Sequence, residues 1–167
     1  MTRPYLMYPD KRLRTKCSPV EAIDAGVRKI WNEMLSAMYA MPGVGLAAPQ
    51  IGEMRRLCVV DCADGRDAPV RMANPEILHA SVKLRSHEEG SPNIPGLSAQ
   101  IERPRAITAR YLDEDGAMVE QDFVGLWATS VQHQIDHLNG KLFVDHLSPV
   151  KRKMLLAKHA KNMKRRD

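Results

Sequence analysis

The stretch Gln132-His133-Gln134-Ile135-Asp136-His137-Leu138-Asn139-Gly140 decides how the rest of the chain is read. His133 and His137 are four residues apart. On an α-helix that spacing puts both imidazoles on one face, close enough to share a cation. Two imidazoles so placed are a standard offer to a transition metal. A pair of ordinary helix histidines has the same spacing, so the flanking sequence must decide. A helix is expected from about Val124 to Leu138. Val124, Ala128, Val131, Ile135 and Leu138 fall along one side, and Asn139-Gly140 closes it.

Upstream, Arg105 to Leu112 and Ala117 to Phe123 read as two strands joined by the turn Asp113-Glu114-Asp115-Gly116. Further strands are expected over Arg56 to Asp61, Val70 to Met72 and Ile77 to Leu84. Asn74-Pro75 and Pro92 to Gly96 break the pattern into turns. Gly43 to Gln50 is a small-residue loop or extended stretch. Ser18-Pro19-Val20-Glu21 has the form of a helix start, with a Ser cap, Pro in the first turn and Glu able to complete a capping box. Ile23, Val27, Ile30, Met34, Met38 and Met41 then follow at helical spacing, and Pro42-Gly43 ends the run. Downstream, Ser148-Pro149 opens a third helix with Met154, Leu155 and Met163 as its apolar contacts. The order helix, strands, helix, helix predicts an α+β fold rather than alternating βαβ units.

A length of 167 residues suits one domain with a real core. The expected organisation is a body over 1–147 and a basic C-terminal helix over 148–167, both in one domain. No apolar run reaches the ~20 residues of a membrane helix, and Met1 to Tyr5 lacks the apolar stretch of a signal peptide. A cytoplasmic protein is expected. Cys17, Cys58 and Cys62 are an odd set, which argues against a disulfide framework and for small buried side chains. The tail after Ser148 holds eight of the 25 Lys and Arg residues and one acid, Asp167. That asymmetry points to an anionic partner for the tail, with no sign of DNA binding.

The motif around the histidines resembles the third signature of the peptide deformylases, Gln-His-Glu-x-Asp-His-Leu-x-Gly. The first signature, Gly-x-Gly-Leu-Ala-Ala-x-Gln, is intact as Gly43 to Gln50. The second, Glu-Gly-Cys-Leu-Ser and its sequel, is altered to Glu89-Gly90-Ser91-Pro92-Asn93-Ile94-Pro95-Gly96. The resemblance implies antiparallel sheets around a central helix that carries the two histidines, with N- and C-terminal helices. It implies metal-dependent hydrolysis of the N-formyl group of formylmethionine on nascent chains. The metal ligands would be His133, His137 and Ser91, for one divalent ion such as Zn, Fe or Ni. Gln134 would stand at the general base, and Gln50 and Pro92 at the donors to the formyl oxygen. Gly43, Gly45, Leu46 and Pro92 would contact substrate. Some deformylases dock on the ribosome through a basic C-terminal helix, so a ribosomal partner is implied for Lys151 to Arg166.

Three positions depart from that pattern. A Ser hydroxyl is a hard, neutral ligand where the family has a soft thiolate, so the metal should be weakly held or absent. The Gln134 amide cannot take a proton, and general-base help is worth about 10²–10⁴ in rate. Pro92 has no N–H, and one oxyanion donor is worth about 10²–10³. The sequence therefore predicts a catalytically impaired deformylase homologue acting as a binding protein. Its alternatives are an active metallohydrolase with altered substrate or weak deformylase activity, and a ribosome-associated factor with a vestigial pocket. Asp136 is expected to make a structural hydrogen bond. Glu88 and Glu89 are expected to be solvated, and His79, His87, His146 and His159 to lie on the surface.

Overall fold

The computed structural model describes residues 3–167, so Met1 and Thr2 of the N-terminal stretch lie outside the described residues. Helix α2, Gly125–Leu138, runs through the middle of the molecule. It is buried from Ala128 to Ile135 and again at His137 and Leu138, not on one stripe only. Strands lie on several sides of it, so its polar residues face built protein rather than water. Val124, placed by spacing on the apolar side, is instead exposed at the cap position. The helix ends at Asn139-Gly140 as expected. Gly140 has φ +76°, and a Cβ there would meet the Arg14 carbonyl oxygen at 2.6 Å. The last carbonyls are satisfied from outside: Leu138 O accepts from Cys17 N at 2.9 Å and from Arg56 Nη1 at 3.0 Å.

The main sheet has five antiparallel strands in the order β1-β2-β3-β6-β7. These are β1 Gly45–Ala47, β2 Leu57–Val60, β3 Val70–Ala80, β6 Ala106–Leu112 and β7 Met118–Val124. The hairpin of β6 and β7 matches the sequence expectation. Strand β3 does not break at Asn74-Pro75. It crosses them on a bulge, with Asn74 at φ +51° and a register shift between Ala73 and Glu76. The Asn74 amide then bonds both ways to the Val20 backbone, at 2.8 and 2.7 Å.

That bond corrects the first helix. Ser18-Pro19 does not start it, because Ser18 pairs with Arg55 and Val20 is held extended by Asn74. Helix α1 is Ala25–Ala40, and its cap is Asp24, whose carboxylate accepts from Val27 N at 2.9 Å. Its stripe is as expected, with Val27, Ile30, Met34 and Met38 buried and Trp31 and Leu35 added. Trp31 is fully buried and donates to Met72 O at 3.2 Å, tying α1 to β3. Truncating it to Ala would cost about 3–5 kcal/mol.

A separate two-stranded sheet pairs β4, Leu84–Ser91, with β5, Ile94–Pro104. Neither strand is evident in the sequence, where polar residues dominate β4 and Pro95-Gly96 interrupts β5. Their stability comes from pairing with each other and from Ile94 and Ile101, which join Leu13, Leu142, Phe143 and Val144 in a core cluster. Helix α3, Pro149–Lys164, starts where expected, with Ser148 accepting from Lys151 N at 3.3 Å. It rests on that cluster through Leu155 and Leu156, while Met154 is exposed. His159, expected at the surface, is buried and bonds through Nε2 to Tyr8 O at 2.8 Å. Cys17 and Cys58 are buried, Cys62 is half-buried, and none is in a disulfide. Among the described residues no helix is long and apolar enough to cross a membrane.

Candidate functional site

A cavity of about 390 Å³ opens between the Gly43–Gln50 segment, the β4–β5 turn and α2. Gly43, Gly45, Gln50, Ser91, Pro92, His133 and Gln134 all line it, so three segments distant in sequence meet as their motifs imply. Leu46 does not line it. It points to the core under α1 and is fully buried there. Apolar walls come from Met41, Val44, Pro95 and Leu126. Gly45 leaves room that any side chain would take: a Cβ would lie 2.4 Å from Gln134 Nε2 and 2.5 Å from Ser130 Oγ.

The two histidines converge, with their Nε2 atoms 3.0 Å apart. His133 Nδ1 lies 2.7 Å from Glu89 Oε1. An ionised carboxylate only accepts, so Nδ1 carries the proton and donates. With Nδ1 turned to Glu89, His133 Nε2 faces His137 Nε2 across the 3.0 Å contact. His137 is fully enclosed, and burial drives its pKa well below the ordinary 6.5, so it is neutral. Its Nδ1 is buried without a partner.

Glu89 is the residue the sequence reading placed wrongly. It is buried, and Arg103 grips it with two bonds of 2.7 and 2.9 Å. Burial alone would raise its pKa. The bonds from His133 and Arg103 outweigh that and hold it at about 2. Arg103 also donates to Asp136 Oδ2 at 2.9 Å, and His146 Nε2 meets the same oxygen at 2.8 Å. Asp136 therefore has the structural hydrogen bonds expected of it, and its pKa is lowered because those partners outweigh its burial. His146 is not a bystander. Nothing in the sequence around Arg103 marks it, since its role depends on β5, which the sequence does not reveal.

The floor beside the histidines is a closed set of amide and hydroxyl groups. Gln50 Oε1 accepts from Ala47 N at 2.8 Å, which fixes the amide's orientation. Its Nε2 donates to Ser91 Oγ at 3.2 Å and to Asn93 Oδ1 at 2.8 Å. Ser91 Oγ in turn donates to Asn93 Oδ1 at 2.9 Å. Asn93 is oriented by its own Nδ2, which donates to Leu6 O and Gln50 O. Asn93 is fully buried and is the hub of this network. Its only sequence signal is its place in the altered second motif. Among the described residues no three His, Cys, Asp or Glu side chains are grouped to hold a metal.

The sequence profile of the polypeptide deformylases matches residues 2–153. This chain belongs to the polypeptide deformylase family. The peptide deformylase of Rhodopseudomonas palustris (strain TIE-1) is 46% identical over 167 residues, covering 98% of this chain and 95% of that protein. That of Mesorhizobium japonicum is 47% identical over 161 residues, covering 95% and 92%. Among solved structures, a peptide deformylase from Legionella pneumophila superposes with a TM-score of 0.92 at 40% identity, covering 99% of this chain and 98% of that one. A peptide deformylase from Ehrlichia chaffeensis in complex with actinonin gives 0.90 at 34% identity, covering 95% of each. The α+β deformylase fold, with antiparallel sheets and three helices, is therefore the fold of this family member.

Proposed function

We propose that this deformylase-family protein holds the N-terminal residue of a peptide chain in its cavity without removing a formyl group at an ordinary enzyme rate. The observation that carries the reading is the closed network of Gln50, Ser91 and Asn93. Both amide hydrogens of Gln50 are already donated, so its amide has none left for a formyl oxygen. Pro92 offers no N–H beside it, and the Gln134 amide cannot accept a proton. Three parts of one hydrolytic unit are thus altered together, and such parts act as a unit rather than additively.

The residues present fit only in part the metal that the family implies. Tetrahedral Zn–N bonds of 2.0–2.1 Å put two ligating nitrogens roughly 3.3 Å apart. The His133 and His137 Nε2 atoms are close to that spacing, at 3.0 Å. The third donor does not fit. Ser91 is neutral and already bonded to Gln50 and Asn93, and a hydroxyl is a poor substitute for a thiolate toward Zn, Fe or Ni. The set does not suit a tightly held transition metal.

The test is an assay on formyl-Met peptides with added Fe(II), Ni or Zn, alongside metal analysis after gentle purification. Expected are negligible turnover and substoichiometric metal. Turnover at ordinary enzyme rates would sink the proposal. The near-ligand spacing of the histidines favours one second reading, a weak metal-dependent hydrolase, and a stoichiometric metal in the purified protein would support it.

The same proposal covers partner and compartment: action on nascent chains in the cytoplasm, with the ribosome as partner of α3. Lys151, Lys153, Lys158, Lys161 and Lys164 are exposed on that helix. We take 148–167 as part of one domain with 1–147, because α3 docks through Leu155, Leu156 and His159. Reversing Lys158, Lys161 and Lys164 to Glu leaves that docking face intact. Ribosome co-sedimentation should then be lost, and unchanged binding would remove α3 from the proposal.

A further inference from the structure

Of the described residues of α3, only His159 is buried, at 2% exposure. It lies one turn beyond Leu155 on the side that rests on the body, where an apolar side chain would suit the packing. Burying an imidazole is costly unless it is hydrogen-bonded. Its Nδ1 is enclosed with no partner among the described residues. The bond that explains it runs from Nε2 to Tyr8 O, at 2.8 Å. A carbonyl oxygen only accepts, so Nε2 is the donor. The Tyr8 ring meets the imidazole edge-on, with centroids 5.9 Å apart.

Tyr8 belongs to a short strap, residues 6–8, bonded to α3 on one side and to the cavity floor on the other. Tyr8 N donates to Asn93 O at 3.0 Å, so this one residue links α3 to the hub of the floor network. Leu6 is held at both backbone groups. Its N–H donates to Gln50 O at 2.9 Å, and its carbonyl oxygen accepts from Asn93 Nδ2. Leu6 O and Gln50 O together fix the Asn93 amide, which turns Asn93 Oδ1 toward Gln50 Nε2.

We infer that His159 is a positioning residue for the cavity floor: by holding Tyr8 O it keeps the strap seated on Asn93, and so keeps the Gln50 amide spent on Asn93 and Ser91. This rests on the closed floor described above and names what controls it. Loss of the His159 donor makes local opening of the strap easier by one hydrogen bond. With the strap open, the Asn93 amide keeps only Gln50 O to orient it. Gln50 Nε2 then regains a hydrogen for a carbonyl oxygen in the cavity. Helix α3, outside the cavity, thus sets how closed its floor is.

The test is hydrogen exchange of the Gln50 and Asn93 side-chain amides, read by nitrogen-resolved NMR on the full-length protein. In the wild type both should exchange more slowly than the amide of Gln100, which is exposed. His159→Phe keeps a ring but has no donor, and His159→Leu removes the ring as well. In each, Gln50 should exchange roughly three- to tenfold faster, the worth of one hydrogen bond. His159→Gln returns an N–H at the reach of Nε2 and should exchange within about twofold of the wild type. Asp24→Ala, destabilised at the α1 cap, should leave both amides as they are, which separates positioning from a general loss of stability. Circular dichroism confirms that each variant is folded. Unchanged Gln50 exchange in the Phe and Leu variants, or no rescue by Gln, overturns the inference and leaves the closed floor standing. A wild-type Gln50 amide that exchanges as fast as Gln100 overturns both, because the floor is then not closed.

Discussion

Replacing Arg103 by Leu should be among the most damaging single changes in this chain. Its side chain is 4% exposed, as is that of Glu89, and Asp136 is 19% exposed. Removing the guanidinium leaves two carboxylates enclosed with imidazoles as their remaining side-chain partners. Breaking a buried pair in this way costs about 3–5 kcal/mol. The fall of the Glu89 pKa from 4.5 to about 2 corresponds to something on the order of 3 kcal/mol at neutral pH, shared between the bonds from His133 and from Arg103. For a domain of this size each kcal/mol moves Tm by about 2–4 °C, so Arg103→Leu should melt roughly 6–20 °C lower at pH 7.

The pH dependence follows from the sign of the shift. Glu89 is held below its ordinary value in the folded state. Its contribution is therefore complete above about pH 4.5 and is lost as pH falls toward 2. The gap between wild type and Arg103→Leu should shrink over that window. Arg110→Leu is the control: its pair with Glu76 is exposed, at 2.6 Å, and should be worth about 0–1 kcal/mol. Adding Glu89→Leu and Asp136→Asn to Arg103→Leu should recover much of the loss, since it removes the stranded charges. Thermal unfolding by circular dichroism from pH 3 to pH 8 reads all of this. A loss no larger than that of Arg110→Leu, or a gap equal at pH 3 and pH 7, would refute the reasoning.

Gly45→Ala should fill the cavity floor, because the new methyl meets Gln134 and Ser130 at contact distances no carbon tolerates. Peptide affinity should drop at least tenfold by calorimetry, with a stability loss of about 1–3 kcal/mol from overpacking. Asp24→Ala should destabilise by about 1 kcal/mol through loss of the α1 cap, while Ser18→Ala stays within about 0.5 kcal/mol, as denaturant melts will show. The reversion series Ser91→Cys, Pro92→Leu and Gln134→Glu should restore metal binding and some formyl-Met hydrolysis when combined. Adding Asn93→Ser should raise turnover about tenfold or more again, measured on one formyl-Met peptide.

Much of this was legible in the sequence because it depends on local spacing. The histidine turn, the β6–β7 hairpin and the Ser148 cap all announce themselves within a few residues. The α1 start was not legible. Ser18-Pro19-Val20-Glu21 has every local feature of a helix start, but Asn74, 54 residues from Val20, claims its backbone. Local propensity lost to two long-range hydrogen bonds. Glu89 failed for the same kind of reason. A Glu beside a Glu and before a Gly reads as solvated. Its burial is possible only because the β4–β5 ladder, which pairs Glu89 with Ala99 and Arg85 with Arg103, brings the Arg103 side chain within reach of it. The candidate site was thus readable where its residues belong to motifs and hidden where they belong to the ion network behind them.

Asn93 shows why the altered positions are best understood as one arrangement. With Cys at 91 and Asn still at 93, the Asn93 carbonyl oxygen would still face Gln50 Nε2, because its own amide nitrogen is tied to Leu6 O and Gln50 O. Restoring the thiolate alone would rebuild a metal ligand and leave the neighbouring donor occupied. Restoring Leu at 92 would supply one N–H while Gln50 stayed spent. Each single reversion therefore meets an obstacle set by another position, so the effects should be far from additive. Asn93 is also fully buried and bonds the N-terminal segment at Leu6, so its removal has a structural cost that the other reversions lack. The order of reversion then matters. Asn93→Ser made first should lower stability without activity, whereas made last it should release Gln50 into a site that can use it.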